Sequence, residues 1–410
     1  GLNRPDLFSL IDLDGDLEII FGEDPDVEEM VWTGPQTPLR DQARAAGVDR
    51  TAPWSELEAR LAKARRGGRK VRYLPPYRAE ITIQLGRLPG LPLEQVAAGA
   101  SVGFIEAVIA QRSVKSDEEI AEIEAALEIC ARMHRRVMSL VRPGPRERDL
   151  VGAMTEIILA AGSRPSFPLI LTTRGHILHN EDQSRELRAG ALVINDSGAD
   201  SPRGYASDIT RTLPVGGRFS PRQKEIYEIV LRARETALAA IRPGVRYLDV
   251  HWAACETLAG GLKDLGLMKG DPVEATRAGA HALFMPHGVG HMLGLDVHDL
   301  ENLGEDRVGY SPTLRRSDQF GLRALRLARE LEPGFVTTVE PGLYFNPLLI
   351  DLWRAENRLS HFLDYEAIDK YRDFTGIRIE DDVLTTNDGA RALGPPIPKT
   401  VEEVEALTAK

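Results

Sequence analysis

Phe284-Met285-Pro286-His287-Gly288-Val289-Gly290-His291 is the stretch on which the reading of this chain turns. Its two histidines stand four residues apart, but Gly288 and Gly290, with Gly294 beyond, make it loop or strand rather than helix. It also lacks the Glu of the His-Glu-x-x-His zinc-protease helix, so that reading is rejected. Four of the chain's nine histidines, His281, His287, His291 and His298, crowd into this region. A lone histidine in such a run is commonly a hydrogen-bonded core residue. Four together weaken that reading, and the glycines let backbone approach another group closely.

Working outward, acidic residues recur at the ends of apolar runs. Asp196 closes Ala191 to Asp196, and Asp208 lies within Ala206 to Val215. The loop between them holds Gly198, Pro202 and Gly204, which folds the second strand back so that the two carboxylates face each other across an antiparallel pair. Glu340 ends the strand Phe335 to Glu340, just before Pro341-Gly342. The strand Ile377 to Thr386 begins Ile377-Arg378-Ile379-Glu380-Asp381-Asp382, and period-two geometry sends Arg378 and Glu380 to one face. Singly, each acid reads as a turn residue or a solvated edge. Together, four strand-borne carboxylates and one imidazole form an oxygen-rich set that suits hard or borderline divalent ions. Two such ions cancel four negative charges that would otherwise be untenable in one cleft.

The chain has 410 residues, 42% hydrophobic and 28% charged, which is neither disordered nor membrane-spanning and suggests two domains. Its net charge of −11 repels phosphate backbones, so nucleic acid is not an expected partner. Two cysteines, Cys130 and Cys255, exclude a disulfide framework, read as packing residues and point to a reducing, cytoplasmic setting. The first domain is expected over 1–112 as a small α/β unit. Leu7 to Leu13 and Leu17 to Phe21 flank a two-residue Asp14-Gly15 hairpin turn, a helix covers Ser55 to Ala64, Lys63 to Arg72 is a solvated basic segment, and Val71 to Leu74 is a strand. The chain opens Gly1-Leu2-Asn3 without an initiator Met, so this domain is expected to be processed or incomplete.

The second domain, 116–410, begins at a Ser116–Glu119 capping box and a long amphipathic helix carrying Ile120, Ile123, Leu127, Cys130, Val137 and Val141. Pro143-Gly144-Pro145 stops it, and a helix from Glu147 to Ala161 ends at Gly162. Ser220-Pro221 starts another pair, to Ile241 and from Leu248 to Leu265. Two helix pairs, each associated with strands, predict duplicated α+β halves.

The motifs Asp208-Ile209-Thr210-Arg211-Thr212, His287-Gly288-Val289-Gly290-His291, Asp296-Val297-His298-Asp299, Val339-Glu340-Pro341-Gly342-Leu343-Tyr344 and Arg378-Ile379-Glu380-Asp381-Asp382, with Asp196 before them, resemble the pita-bread metallopeptidases. The resemblance is to the aminopeptidase P and prolidase branch and covers about 116–394. It implies an α+β pita-bread (creatinase/aminopeptidase) catalytic domain with pseudo-twofold halves behind a small α/β domain. It implies that Asp196 chelates one divalent ion, that Asp208 and Glu380 bridge two, and that His291 and Glu340 complete the second. The ions are Mn²⁺ first, with Co²⁺ or Zn²⁺ as alternatives, and a hydroxide they share attacks the peptide carbonyl. Glu340 then shuttles the proton, His287, His298 and His179 face the substrate, and Arg378 orients the carboxylates. The implied substrates are peptides with proline second, cut as an Xaa-Pro aminopeptidase, with an Xaa-Pro dipeptidase (prolidase) as the alternative. Met285-Pro286-His287-Gly288 and the segment Leu300 to Pro333 look like prolidase. Asp196-Ser197-Gly198-Ala199-Asp200, Tyr205-Ala206-Ser207-Asp208 and Ser166-Phe167-Pro168 resemble bacterial aminopeptidase P. A homo-oligomer is also implied, although a short first domain puts pairing through it in doubt. Many relatives carry Tyr where Phe167 stands, so a hydroxyl near the metals is missing or supplied elsewhere. A creatinase-like metal-free hydrolase would not need this ligand set, and a binding module on the same scaffold typically loses ligands.

Overall fold

The computed structural model describes residues 2, 4–88 and 90–409. Gly1, Asn3, Pro89 and Lys410 lie outside them, and with them the opening at Gly1 and the outer ends of the two expected domains. The chain divides into two units, Gly1–Ala107 and Val108–Lys410.

In the first unit, β1 (Phe8–Asp12) and β2 (Leu17–Phe21) pair antiparallel from Phe8↔Phe21 to Asp12↔Leu17, and β3 (Thr51–Ala52) joins β2 in parallel. Alternation on β2 sends Ile19 and Phe21 to Leu57, Trp54 and Phe8 on one face. Ile20 goes to Leu39, Ala43 and Val48 on the other. The hairpin loop is longer than the two residues expected. It runs from 13 to 16 because the Asp12 carboxylate accepts the backbone N–H of both Asp14 and Gly15. Arg69 of the basic segment closes on Asp12 and Asp14, and the helix there is Trp54–Arg66. Val71 to Leu74 is not a strand. Pro75 and Pro76 supply no donors for a ladder, and the Tyr73 carbonyl and hydroxyl instead bond the Ser101 N–H and the Val96 carbonyl.

In the second unit each helix pair accompanies a three-stranded sheet. Helices Asp117–Leu140 and Glu147–Ala160 go with β4 (Ile170–Thr172), β5 (Leu192–Ser197) and β6 (Ile209–Pro214), in the order β4-β5-β6. Helices Pro221–Ala240 and Tyr247–Asp264 go with β7 (Val336–Val339), β10 (Asp381–Thr385) and β11 (Ala390–Ala392), in the order β11-β10-β7. A two-stranded ribbon of β8 (Gly342–Tyr344) and β9 (Gly376–Arg378) completes the set. The helix starts follow the sequence: Ser116 and Glu119 cap each other's backbone, as do Ser220 and Gln223 behind Pro221. Gly162 takes φ 66° after the 147–160 helix. The strand expected from Ile377 to Thr386 is two strands, because the chain leaves the β8 ribbon at Ile379-Glu380 and joins β7. β4, β8, β11 and the terminal helix Val401–Thr408 have no counterpart in the sequence reading. Among the described residues, no helix is long and apolar enough to cross a membrane.

A buried knot of charge ties the two halves. Arg211 on β6 reaches the Asp381 carboxylate at 2.6 Å and the backbone carbonyls of Glu380, Ile397 and Pro398. Arg234 and Lys399 also pair with Asp381, at 2.5 and 2.6 Å. Burial raises the Asp381 carboxyl, but these three cations outweigh it and hold the group well below the usual carboxylate range. Removing the anion leaves the buried Arg211 without a counter-ion and takes one from Arg234, which keeps only Glu235, and from Lys399. Asp381→Asn is therefore expected to lower stability by about 3–5 kcal/mol, read as a drop in the thermal midpoint. A wild-type midpoint would show the knot to be ornamental.

Candidate metal centre

Strand register assembles the site. β5 and β6 pair with Asp196 opposite Thr210 and Ser197 opposite Ile209, so Asp208, just before β6, falls on the same face as Asp196. β7 and β10 pair with Val339 opposite Asp381, so Glu340 and Glu380 lie side by side one residue beyond that rung. The Glu380 N–H donates to the Thr210 carbonyl at 3.0 Å, and the Thr210 hydroxyl donates to Glu380 Oε2 at 2.6 Å. That stitch brings both pairs of acids together.

His291 enters from the glycine-rich run. Its N–H donates to Thr338 Oγ1 and its Nδ1 lies 3.0 Å from the Met292 carbonyl. A carbonyl cannot donate, so Nδ1 carries the proton and Nε2 presents a lone pair. That lone pair faces Asp208 Oδ2 at 3.5 Å and Glu340 Oε1 at 3.8 Å. Gly290 is required here: a Cβ would collide with the Thr338 carbonyl and the Tyr247 hydroxyl. Thus all five sequence-predicted ligands, Asp196, Asp208, His291, Glu340 and Glu380, converge.

The remaining candidates surround them. Arg378 donates to Asp196 Oδ2, to Thr210 Oγ1 at 3.1 Å and to the Tyr344 hydroxyl at 2.8 Å. Tyr344 in turn lies 3.0 Å from His287 Nε2, and His287 Nδ1 lies 2.8 Å from the Gly288 carbonyl. Since a guanidinium only donates, protons run from Arg378 to Tyr344, from Tyr344 to His287 Nε2, and from His287 Nδ1 to Gly288. The His298 ring centroid is 4.3 Å from that of His291, and its Nδ1 faces Glu301 Oε2 at 3.7 Å. Glu301 is itself held by Arg326. His179 is exposed and close enough to weaken protonation of His287 and His298. Tyr344, Thr210 and the Glu301–Arg326 pair were missed in the sequence. Tyr344 was visible in its motif, and it supplies a hydroxyl in this neighbourhood although position 167 is Phe. Asp382, whose Oδ2 accepts the Asp208 N–H at 3.0 Å, was also missed.

The electrostatics reveal what the cluster lacks. Burial, followed by repulsion from Glu380 and Asp196, pushes the Asp208 carboxyl well above its usual range. Glu380 is raised by burial and by Glu340 and Asp196. Glu340 is raised to about 7, chiefly by burial, against the opposing pull of Arg378. Burial lowers His291 to about 4, keeping it neutral. Asp196 Oδ1 and Asp208 Oδ1 are buried with no hydrogen-bond partner among the described residues. Ligand atoms of Asp208, His291 and Glu380 all lie within 4.8 Å of one another. Lone pairs facing lone pairs, with orphaned carboxylate oxygens, are the inverse of a cation. Divalent ions fit these residues.

Folding raises these carboxyl pKa values, so the native state binds more protons than the unfolded one. Stability without metal must therefore fall as pH rises from the ordinary value of 4.5 through about 7, the Glu340 value, and stay low above it. Chelated protein is expected to melt several degrees lower at about pH 8 than at about pH 5.5, and excess divalent ion to abolish the difference. A flat profile after chelation would contradict the crowding.

Comparison with known proteins accords with this geometry. The sequence profile of Metallopeptidase family M24 matches residues 121–387, and that of the aminopeptidase P N-terminal domain matches 1–73. The Xaa-Pro aminopeptidase of Escherichia coli (strain K12) is 34% identical over 418 residues, covering 99% of this chain and 86% of that protein. The Xaa-Pro dipeptidase of Homo sapiens is 36% identical over 310 residues, covering 74% of this chain and 61% of that one. Among solved structures, Pseudomonas aeruginosa aminopeptidase PepP superposes with a TM-score of 0.75 at 31% identity, covering 96% of this chain and 82% of the other. Zn-substituted Escherichia coli aminopeptidase P in complex with product gives 0.75 at 34% identity with the same coverage. On the shared fold, the length of the match and the acids and histidines gathered at its centre, the chain belongs to metallopeptidase family M24, as a pita-bread metallopeptidase of the aminopeptidase P family.

Proposed function

We propose that this chain is an Xaa-Pro aminopeptidase, removing the first residue of peptides whose second residue is proline. The observation that carries this is the convergence of Asp196, Asp208, His291, Glu340 and Glu380 around unpartnered carboxylate oxygens, in a chain related along its length to an Xaa-Pro aminopeptidase. An Xaa-Pro bond is a tertiary amide without an N–H, so the enzyme must recognise it without that donor.

Asp196, Asp208, His291, Glu340 and Glu380 would hold two divalent ions. Four carboxylates and one imidazole favour Mn²⁺, with Co²⁺ or Zn²⁺ as substitutes. Bound there, the ions act as Lewis acids and lower the pKa of a water. The chain's own groups do the rest. Glu340 takes the proton of the attacking water on a carboxylate oxygen and passes it towards the leaving nitrogen. Arg378 fixes Asp196 on one side and Tyr344 on the other, which locks the tautomer of His287. His179 and His298 make no hydrogen bond through their rings among the described residues, so His179 and the Nε2 of His298 are available to substrate oxygens. Glu301, clamped by Arg326, orients His298. We extend the reading to a cytoplasmic protein with no nucleic-acid or membrane partner, resting on the charge balance and the reduced cysteines, and to a homo-oligomer, resting on the family resemblance. Residues 1–112 and 116–410 serve as its two domains.

A second reading is an Xaa-Pro dipeptidase. It is favoured by Arg326, whose charge is felt at His291, His298 and Glu340 and which, with Nη1 held by Glu301, keeps its other guanidinium donors for the free carboxylate of a dipeptide. One experiment tests both. Chelated protein should be inactive, and Mn²⁺ should restore cleavage of Xaa-Pro-Yaa tripeptides at least as fast as of Xaa-Pro dipeptides. Dipeptides cut much faster would favour the second reading, and full activity without metal would sink both. Separately, Glu340→Gln should fold and lose at least about 10²-fold in kcat. Near-wild-type turnover would remove the proton from that residue.

A further inference from the structure

A second group of metal-type donors adjoins the histidine run without sharing any residue with the carboxylate cluster. His251 and Cys255 stand four apart on the Tyr247–Asp264 helix, so they project from one face. His281 meets them from the turn Ala280–Leu283. The three offer ligand atoms that all lie within 4.8 Å of one another. Cys255 Sγ is 3.5 Å from His251 Nε2, the separation of neighbouring ligands on an ion with bonds of about 2.0–2.3 Å. His251 and Cys255 are 0% exposed and His281 is 1%.

These groups are poorly served by the protein alone. Among the described residues neither ring nitrogen of His281 makes a hydrogen bond of good geometry, a costly state for a buried imidazole. The Thr276 backbone lies against the His281 ring, placed to take the N–H of the nitrogen that does not ligate. Burial holds both imidazoles neutral and pushes the Cys255 thiol up, and the thiol's one partner at the cluster is the His251 ring, whose lone pair an ion would take in place of the S–H. Trp252 walls the cluster, its ring 5.4 Å from His251 and 6.0 Å from His281. The nearby Glu256 and Arg277 close on each other at 3.0 Å and add no net charge.

We propose that His251, Cys255 and His281 bind one soft metal ion, Cu⁺ or Zn²⁺, as a structural site distinct from the carboxylate centre. On binding, the Cys255 thiol loses its proton to solvent and the thiolate becomes a ligand. Two nitrogens and one sulfur, with no carboxylate, select soft ions over Mn²⁺. Cu⁺ with one thiolate is neutral and satisfied by three ligands. Zn²⁺ leaves one buried positive charge and an open fourth position, so charge favours Cu⁺.

The test uses full-length protein, stripped of metal and reloaded with Mn²⁺. One sample is titrated with Cu⁺ under anaerobic conditions against a chromophoric Cu⁺ chelator. Another receives Co²⁺, the spectroscopic stand-in for Zn²⁺, which the carboxylate centre can bind only without sulfur. Retention of one Cu⁺ per chain, or a thiolate-to-cobalt charge-transfer band in the near ultraviolet, is expected. Cys255→Ser should abolish it while Mn²⁺-dependent peptidase activity persists. Cys255→Ala serves if the serine variant does not fold. Wild-type protein that neither retains Cu⁺ nor shows the band overturns the proposal. So does a signal that survives in the Cys255 variant, which would assign it to Cys130.

Discussion

Negative charge without a counterpart is the constraint on which this molecule is organised. Asp196, Asp208, Glu340 and Glu380 meet a neutral His291 in a space where two carboxylate oxygens find no donor among the described residues. No arrangement of protein groups alone makes such a cluster comfortable at neutral pH. Arg378 offsets part of the charge, yet the acids remain raised. Burial and mutual repulsion make these acids keep protons at pH values where free carboxylates have lost them, and a dication replaces those protons and supplies the missing positive charge.

The surrounding framework explains how acids so far apart in sequence are held against their repulsion. Each half contributes one antiparallel pair whose register fixes two acids, and β6 reaches across through Thr210 and Arg211 while Arg378 reaches back to Asp196. Arg211 spends its guanidinium on Asp381 and on backbone carbonyls rather than on the carboxylates of the cluster. The consequence is a separation of roles. Asp381 is fully neutralised and structural, while Glu380, its neighbour in sequence, is left for the cleft. Adjacent residues on an extended segment point to opposite sides, so one segment serves both purposes.

Much of this was legible because chemistry concentrates in short motifs. The histidine run, the acids ending apolar strands and the Arg378-Ile379-Glu380 alternation could each be read locally, as could the helix caps at Ser116 and Ser220. What was hidden depends on partners far away in the chain. Nothing near Asp12 announces that its side chain will capture Asp14 and Gly15 and lengthen the turn. The break at Ile379-Glu380 arises because successive halves of an apolar run pair with different strands, which periodicity cannot disclose. Tyr344 sat in a recognised motif, but its hydroxyl acquires meaning only once Arg378 and His287 close on it.

Hardness of ligands supplies a last step. Two buried clusters in one chain draw on different donors: carboxylates and one imidazole at the first, two imidazoles and one thiol at the second. Raw affinity follows the Irving–Williams order, in which Cu and Zn outcompete Mn at any shared site. An oxygen-rich centre narrows that advantage, and a nearby sulfur-containing one would draw softer ions away from it. The same physics that crowds carboxylates to hold hard cations thus requires that thiols be kept out of the cleft. Cys130 and Cys255 obey this: both are buried, Cys130 turned to the Ser197 carbonyl and Cys255 to His251.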